Sequence, residues 1–453
     1  MSDEHDARRM EKIVSLCKRR GFIFQSSEVY GGLNGAWDYG PLGVELKRNL
    51  KNYWWRVMVH ERDDVVGMDG SILTHPEVLK ASGHVEGFSD PMIDCRTCKA
   101  HLRFDQLTEK KGVKQCPNCG GKDLTEPRQF NLMFETHVGA AADESSIAYL
   151  RPETAQSIFV QFKNILEVSR KKLPFGIAQI GKAFRNEINP RNFTFRSREF
   201  EQMELEYFCR AEQGMELLDY WKEERLKFYE NIGIARDKLH VRTVPDDERA
   251  FYSKGTYDIE YSFPFGCQEL EGVAYRTDYD LSQHQRASGK SLEYFDEETK
   301  QRFVPHVVEP SAGVDRTVLA LLCEAYAEDE APDEKGKMET RIVLRLHPRM
   351  SPIKCAVFPL LKNKEPLVAK AKEVIDLLRP HMFVFYDESG AIGRRYRRQD
   401  EIGTPFGVTI DFETLGEKNA SLRDTVTLRD RDSMKQERVA INDLLGTLTS
   451  RIR

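Results

Sequence analysis

The sequence lacks the features of a membrane-spanning, secreted or repetitive protein. No apolar run reaches the ~18 residues that a membrane-spanning helix needs, and the opening MSDEHDARRM is charged where a secretory signal would be apolar. Internal repeats and low-complexity tracts are also absent. We therefore expect a protein of the cytoplasm with no membrane partner.

Cysteine is too scarce for a disulfide framework. The 453 residues contain nine cysteines, four of which form two CxxC pairs: Cys95 with Cys98, and Cys116 with Cys119. Each CxxC turn can direct two thiolates at one tetrahedral ion, and the 17-residue gap between the pairs is typical of a zinc ribbon. Four thiolates leave no open position for water, so we predict a structural zinc site. His101 is a weaker alternative ligand.

The chain has no overall positive charge, since 68 Lys and Arg against 73 Asp and Glu give a net charge of −5. Residues 341–453 nevertheless hold 21 Lys and Arg against 15 Asp and Glu, so this segment carries +6 and the remainder −11. A basic module on an acidic body is compatible with nucleic-acid phosphate contacts at one end of the molecule. Ordinary solvated charge is the alternative explanation.

The pattern along the chain predicts two domains. The acidic stretch 327–339 contains Pro and Gly, cannot bury much surface and is predicted to be a linker. We place the first domain at 1–340, with a cysteine-bearing insertion at 92–126 and a helical insertion at 209–256, and the second at 341–453. In the second domain, apolar runs alternate with helical patterns at 364–379 and 433–452, which indicates an α/β module with a mixed sheet.

Within the first domain, hydrophobic periodicity predicts individual elements. Helices are expected at 44–62, 212–232 and 314–326. Two strands joined by a polar loop are expected over 176–208, and further strands over 257–281.

Those two joined strands carry the chemistry-bearing residues. Strand alternation puts Ala183, Arg185 and Glu187 on one face of the first strand. On the second strand, one face holds Phe200, Gln202, Glu204 and Glu206, which is not a core face. The intervening loop contains Arg191, Arg196 and Arg198, which suit a polyphosphate. A solvent-facing hairpin with ion pairs would show the same pattern.

Several segments resemble one family. FRNE followed by RSREFEQMELE resembles motif 2 of the class II aminoacyl-tRNA synthetases, EPSAGVDRTVLALL resembles their motif 3, and ILTHPEVLKASGH resembles the dimer-forming motif 1. More narrowly, SSEVYGGLNGAWDYGPLG, RPETAQ, ELEGVAYRTDYDLSQH and VVEPSAGVDR are, together with these, similar to the homodimeric bacterial glycyl-tRNA synthetases. The resemblance runs from about residue 10 to the C-terminus. It implies an α+β fold: an antiparallel-sheet catalytic domain with a zinc-binding insertion, and a C-terminal α/β anticodon-binding domain.

The resemblance implies a glycine–tRNA ligase that converts glycine and ATP to glycyl-adenylate and transfers the glycyl group to the 3′ end of tRNA(Gly). By resemblance Arg185 would hold the α-phosphate, Glu187 would lie near the adenine, and Phe200 and Arg316 would stack on its two faces. Arg185, Glu187 and Arg316 would be the catalytic groups. Either Arg196 or Arg198 would hold the γ-phosphate. Mg²⁺ bridging the phosphates would be bound by Glu269, helped by Glu309, and the ATP site would also include Asn186, Phe195, Leu270 and Gly313.

Recognition of glycine requires groups for its ammonium and carboxylate and no room above Cα. By resemblance Arg276 would bind the carboxylate, and the other groups would be Arg103, Glu153, Gln202, Glu204, Glu309 and Ser311. Excluding alanine by overpacking can exceed the ~1–3 kcal/mol that one methylene supplies, so no editing domain is expected. Glu269 and Arg276 have opposite parity on a strand, so they share a face only if Gly272 marks a bulge or bend.

From about Arg341 the chain resembles the anticodon-binding domain of glycyl, histidyl, prolyl and threonyl enzymes. The segment GAIGRRYRRQDEIGTPFGVTID mixes cations with an aromatic residue, as recognition of single-stranded RNA demands. We predict anticodon contacts from Arg394, Arg395, Arg397 and Arg398; a solvated basic strand is the alternative. The expected partners are ATP, glycine, tRNA(Gly) and a second copy of the chain, but not DNA.

Two other hypotheses share this fold. A class II enzyme for a larger amino acid would need apolar lining where this sequence has Glu153, Glu309 and Ser311. A catalytically silent relative, such as the accessory subunits of organellar DNA polymerases, would be expected to lose the nucleotide-binding groups. Arg185, Glu187, Phe200 and Arg316 are all present.

Overall fold

The computed structural model describes residues 2–110, 112–140, 143–250, 252–332 and 336–453. Its helices are α1 Ser2–Arg20, α2 Pro41–Trp55, α3 Pro76–Ala81, α4 His84–Gly87, α5 Ala155–Ser169, α6 Gly214–Asn231, α7 Tyr279–Ser288, α8 Val314–Ala325, α9 Glu365–Leu378, α10 Ile392–Ile402 and α11 Ile441–Ile452. A π-helical turn, Arg56–His60, extends α2. No helix in these ranges is long and apolar enough to cross a membrane.

The strands form sheets of two to seven members. They are β1 Ile23–Gln25, β2 Trp37–Tyr39, β3 Val65–Gly67, β4 Leu73–Thr74, β5 Ser89–Asp94, β6 His101–Arg103, β7 Thr108–Lys110, β8 Val113–Gln115, β9 Arg128–Asn131, β10 Phe134–His137, β11 Ile147–Leu150, β12 Phe175–Phe184, β13 Glu199–Cys209, β14 Leu239–Thr243, β15 Gly255–Phe263, β16 Gly266–Thr277, β17 Tyr294–Phe295, β18 Arg302–Phe303, β19 His306–Gly313, β20 Tyr326–Pro332, β21 Met338–Leu344, β22 Cys355–Pro359, β23 Val384–Tyr386, β24 Phe406–Ile410, β25 Thr425–Asp430 and β26 Gln436–Ala440.

A seven-stranded sheet organises the first domain. Its order is β14-β15-β16-β19-β13-β12-β3, and every pairing is antiparallel except that of β12 with β3. Alternation along β13 directs Met203, Leu205 and Tyr207 into the main hydrophobic core, to which α2, α6 and α8 also contribute. The opposite face of β13 is therefore left for polar residues, as the sequence predicts.

The predicted helices of the first domain are confirmed with small shifts in their ends. The helix expected at 44–62 is α2 with its π-helical extension, and Leu46, Leu50, Trp54 and Met58 on its predicted apolar side are buried. The helices expected at 212–232 and 314–326 are α6 and α8.

The predicted linker at 327–339 is wrong in part, and residues 333–335 lie outside the described ranges. Strands β20 and β21 pair along their whole lengths from Tyr326↔Leu344 to Pro332↔Met338, and β21 spans the predicted domain boundary at 340. Ion pairs allow this acidic stretch to form a ribbon: the buried guanidinium of Arg341 donates to Asp329 across the ribbon and to Asp400 of α10.

The second domain is the predicted α/β module with a mixed sheet. Its strand order is β23-β22-β24-β25-β26, with parallel pairing among the first three strands and antiparallel pairing among the rest. The expected helix at 433–452 is wrong over its first part, because residues 436–440 form β26 beside β25 before α11 begins. The α+β class of the whole chain is confirmed.

Candidate active site

A cavity of about 400 Å³ lies over the polar face of the seven-stranded sheet. Its lining comes from β13, β14, β15, β16 and β19, from the loops between β12 and β13 and between β14 and β15, from Glu153, and from the first turn of α8. Six arginines line it, of which Arg185 and Arg316 lie against the aromatic rings of Phe200 and Phe195. Arg276 and a group of acidic side chains form another part of the lining.

Arg185 reaches the cavity from just beyond the end of β12. The strand ends at Phe184, so the predicted alternation through Arg185 and Glu187 is wrong, although both residues line the cavity. Nε of Arg185 donates to the Pro152 carbonyl at 3.0 Å, and the guanidinium lies 5.3 Å from the ring centroid of Phe200. The backbone turn after β12, and not strand alternation, therefore brings Arg185 and Glu187 to the cavity.

The arginines of the β12–β13 loop differ in their surroundings. Arg196 lines the cavity and its Nη1 lies 3.4 Å from Oε2 of Glu187. Arg198 instead donates to two backbone carbonyls, those of Glu187 at 3.1 Å and Asn34 at 2.9 Å, and is not part of the lining. Of the two, Arg196 is the one that could meet a ligand in this cavity.

Arg316 stands in the first turn of α8 and lines the same cavity. Its guanidinium lies 4.4 Å from the ring centroid of Phe195, donates to the Phe195 carbonyl at 3.2 Å, and donates to Oε2 of Glu269 at 3.1 Å. Leu270 and Gly313 also line the cavity. Asn186 and Arg103, which the sequence assigned to the site, are not among its lining residues.

A bulge in β16 brings Glu269 and Arg276 to the same cavity. The register with β15 shifts so that Glu269 opposes Glu260 while Glu271 opposes Ile259, which leaves Leu270 as the extra residue. A bulge was therefore correctly expected, but it lies at Leu270 and not at Gly272. Because it reverses the parity of the strand, Glu269 and Arg276 both line the cavity.

Arg276 is buried and bound on two edges. Its Nη1 donates to both oxygens of Glu309, at 2.9 and 2.8 Å, while its Nε and Nη2 donate to the two oxygens of Asp280. The ring of Tyr252 covers the guanidinium at 4.1 Å. Of these partners, sequence reasoning missed Asp280 and Tyr252; Asp280 stands in the quoted segment ELEGVAYRTDYDLSQH, which was the available signal.

The remaining predicted glycine-binding groups form a hydrogen-bonded cluster. Ser311 Oγ donates to Glu204 Oε1 at 2.7 Å, Gln202 Nε2 lies 3.4 Å from Ser311 Oγ, and Thr154 donates to Glu204 through its hydroxyl. Glu153 faces His84, whose Nε2 is 3.4 Å from Oε2. The structure thus brings together six of the seven predicted residues: Glu153, Gln202, Glu204, Arg276, Glu309 and Ser311.

Burial and repulsion raise the pKa of some acids of this cluster, and neighbouring cations lower the pKa of another. Burial raises the pKa of Glu309 to about 8 against the opposing charge of Arg276, and burial with repulsion from Glu153 raises the pKa of Glu204. Burial also disfavours the charged form of Glu153, but His84 and Arg276 outweigh it and hold this pKa well below its usual range. Oxygens of Glu204, Glu206 and Glu309 lie within 4.8 Å of one another, so the cluster would attract a cation.

Two carboxylates, those of Glu269 and Asp258, are available to a divalent ion near Arg316. Glu269 faces the cavity beside Asp258, a residue that the sequence analysis did not select, and burial together with repulsion from Glu269 raises the pKa of Asp258 to about 6. Both offer the oxygen ligands that Mg²⁺ prefers. Glu309, by contrast, is already bound to Arg276 through both oxygens.

The four cysteines of the insertion converge as predicted. Sγ of Cys95 is 3.7 Å from that of Cys119, and Sγ of Cys98 is 3.6 Å from that of Cys116. A tetrahedral ion with Zn–S bonds of ~2.3 Å would space its ligands by ~3.8 Å. The cluster could therefore bind zinc. Arg103, in the same insertion, is held by Asp90 at 2.7 Å and Asp105 at 3.0 Å.

The basic segment of the second domain forms a helix, α10, so the alternative of a solvated basic strand is wrong. Arg394 is exposed on it, whereas Arg395 is buried and donates to the carbonyls of Pro359 and Gly390. Arg398 is half-buried and donates to Asp387. Arg397 lies 3.7 Å from Asp400. The four arginines therefore do not share one exposed surface.

Comparison with known families agrees with this architecture. Residues 134–326 match the family described as tRNA synthetase class II core domain (G, H, P, S and T), and residues 354–451 match the anticodon binding domain. The fold and the site define a class II aminoacyl-tRNA synthetase.

Three curated relatives narrow this class, each named glycine–tRNA ligase. That of Thermobifida fusca is 54% identical over 459 residues, covering 98% of both chains. That of Streptomyces coelicolor is 53% identical over 462 residues, covering 98% of this chain and 99% of the relative. That of Treponema denticola is 51% identical over 446 residues, covering 98% and 97%. The chain belongs to the glycine–tRNA ligase family, and the resemblance noted in the sequence is confirmed.

Proposed function

We propose that this protein is a glycine–tRNA ligase, which joins glycine to ATP as glycyl-adenylate with release of diphosphate and then transfers the glycyl group to the 3′ end of tRNA(Gly). The observation that carries the proposal is the lining of the cavity. Arginines and aromatic rings occupy one part of it, and a buried arginine with carboxylates and a hydroxyl occupies another, where a larger amino-acid side chain would need an apolar lining.

The arginine end suits ATP. Arg185 holds the α-phosphate and stabilises the charge that develops there as the glycine carboxylate attacks, so its contribution is positioning and electrostatic stabilisation. Arg196 is the better candidate for the γ-phosphate because Arg198 is bonded to backbone carbonyls. Phe200 and Arg316 stack on the two faces of the adenine, and Glu187 lies near the base. Mg²⁺ bound with the phosphates would neutralise charge there, and Glu269 with Asp258 are the side chains best placed to hold it.

The acidic end suits glycine. Arg276 binds the carboxylate, while Glu153, Glu204 and Glu309 surround the ammonium. Glu309 is bonded to Arg276 in the structure, so glycine would enter between the two side chains, with its carboxylate at Arg276 and its ammonium among Glu153, Glu204 and Glu309. Gln202 and Ser311 hold Glu204 in place. We expect the crowding of these side chains around the ammonium to exclude a methyl group on Cα.

The second domain is proposed to bind the anticodon of tRNA(Gly). Arg394 is exposed on α10 and is the strongest candidate for an RNA contact, with Arg397 and Arg398 beside it. Arg395 is better explained as a structural residue because backbone carbonyls occupy its guanidinium. We further propose that the chain acts in the cytoplasm as a homodimer and that zinc stabilises the insertion.

Exchange of labelled diphosphate into ATP, measured with each of the twenty amino acids, tests the proposal. Exchange with glycine alone, lost in Arg185→Ala, followed by charging of tRNA(Gly), is the expected result. Exchange with another amino acid would overturn the glycine pocket, and no exchange with any would favour a catalytically silent relative. Thermal unfolding of both proteins shows whether Arg185→Ala is still folded.

A further inference from the structure

A buried polar network lies behind the acidic end of the cavity. It consists of Gln156, in the first turn of α5, and of Asp280 and His284, on α7. All three are at most 5% exposed, and none belongs to the cavity lining. They stand in the sequence segments RPETAQ and YDLSQH, and the proposed roles of those segments leave these three side chains unused.

Asp280 fixes the orientation of Arg276. Its two oxygens accept from Nε and Nη2 of the guanidinium at 2.8 and 2.9 Å, and the two side chains are only 1% and 2% exposed. This paired geometry holds the plane of the guanidinium as well as its position. The remaining edge, Nη1, is thereby directed to Glu309 and the cavity.

Gln156 connects Asp280 to Glu153. Its Nε2 donates to Glu153 Oε1 at 2.9 Å and to Asp280 Oδ1 at 3.1 Å, so both of its N–H groups are used on carboxylates. Its Oε1 accepts from Nε2 of His284 at 2.8 Å, which sets the orientation of the amide. Burial lowers the pKa of His284, and the neutral ring donates from Nε2.

We propose that Asp280, Gln156 and His284 are positioning residues that set the distance and orientation between Glu153 and Arg276, and thereby the preference for glycine. The inference rests on the proposed function. Glycine is a small zwitterion whose two charges are separated by one carbon, so its two receptors must be held at a matching separation. One hydrogen-bonded chain, Glu153–Gln156–Asp280–Arg276, joins those receptors through atoms that the substrate does not touch. Small displacements of such groups have large effects on binding and rate.

Two substitutions test the network without adding charge to it. Asp280→Asn keeps the shape but presents an amide to the guanidinium, and Gln156→Met keeps the approximate volume but removes both donors. Asp278→Asn is the matched control for the first: it lies at the start of the same helix, has the same charge change, and bonds Ser282 and not Arg276. KM for glycine, KM for ATP, kcat of glycine-dependent exchange, and exchange with alanine are measured beside the melting temperature.

Loss of a charge-assisted hydrogen bond predicts that both variants raise KM for glycine by roughly 10-fold or more. KM for ATP should change by less than about threefold, and the ratio of glycine to alanine exchange should fall; Asp280→Glu should restore part of the affinity. An unchanged KM for glycine would overturn the inference. So would a parallel rise of both KM values with a lower melting temperature, or an equal effect of Asp278→Asn. If Asp280→Asn does not fold, Gln156→Met decides. Failure of the wild-type protein to exchange with glycine would instead reject the proposed function.

Discussion

Removal of zinc should unfold the cysteine-bearing insertion and leave the catalytic sheet intact. The insertion has a very small core: Leu102 with Cys95 and Cys116, and Ala100, Leu107 and Leu124 packed partly against them. Full burial of one leucine contributes ~1.5–3 kcal/mol, whereas ordering each residue opposes folding by ~1–2 kcal/mol. Zinc bound by small metal-dependent domains contributes ~10–16 kcal/mol. The metal therefore decides whether these residues fold.

Hydrogen exchange measured by mass spectrometry can test this prediction. The zinc-loaded protein should hold one zinc per chain and protect amides within 95–124, because backbone bonds such as Cys95 N to Ala100 O and Cys116 N to Gly121 O close its turns. After chelation, or in Cys98→Ser, these amides should exchange at the rate of an unstructured loop, while β12 and β13 remain protected. Cys267→Ser is the control, because Cys267 is exposed and outside the cluster.

Two results would refute this reasoning. Protection of 95–124 that persists in protein with no bound zinc would show that packing alone folds the insertion. Loss of zinc from Cys267→Ser equal to that from Cys98→Ser would show that the metal is bound elsewhere. The insertion also contacts the β12–β13 loop, where the side-chain amides of Gln106 and Asn189 lie 3.3 Å apart. We therefore expect a modest rise in KM for ATP in the metal-free protein.

Three further predictions concern stability, pH and RNA binding. Glu271→Ala leaves the buried Arg225 without its partner and should lower the free energy of unfolding by ~3–5 kcal/mol in denaturant titrations, whereas Arg225→Met with Glu271→Leu should restore most of it. Burial lowers the pKa of His347 from 6.5 to about 4, so on acidification the unfolded chain takes up a proton before the folded chain does. The contribution of neutral His347 to the free energy of unfolding is therefore fully present above pH 6.5 and falls by at most ~3 kcal/mol as the pH drops towards 4. His347→Gln should remove this part of the pH dependence of urea unfolding. Arg394→Ala should weaken tRNA binding and reduce the slope of log K against log salt by about 1 without lowering the melting temperature, while Arg395→Ala should lower the melting temperature because it removes bonds to Pro359 and Gly390.

Hydrophobic periodicity predicted the elements that contribute most to the site. The alternation in β13 separates Met203 and Leu205, in the core, from Gln202 and Glu204, in the cavity, because strand side chains alternate between faces whatever the tertiary context. The apolar periodicity of α8 likewise predicted the helix whose first turn carries Arg316. Strong local patterns of this kind survive folding because the buried face reinforces them.

Features that depend on partners distant in sequence could not be predicted. The bulge at Leu270 depends on the register of β16 with β15, whereas the local sequence favoured Gly272 because glycine is a usual residue at a bulge. The pairing of β20 with β21 is stabilised by Arg341, which binds Asp329 within the ribbon and Asp400 in α10. Basic composition also concealed that Arg395 is buried, since its carbonyl partners come from Pro359 and Gly390.

The sheet register arranges the residues that the proposed function assigns to glycine. Glu204 pairs with Ser311 on one side and with Gln179 on the other, and Ser311 in turn pairs with Gly272. Strands β13, β19 and β16 therefore place polar or small residues across the cavity floor, while Gln179 of β12 continues the row outside the cavity lining. A shift of any strand by one residue would replace its member of the row with a residue from the opposite face. Glu204 and Gln179 in this row are almost completely buried, so hydrophobic burial favours no particular position for them. Hydrogen bonds must therefore fix the positions of these side chains. The same requirement applies to the guanidinium of Arg276, which backbone pairing between strands does not hold. The packed strands arrange these residues, and under the proposed function the buried polar contacts behind them would supply the accuracy needed to exclude one methyl group.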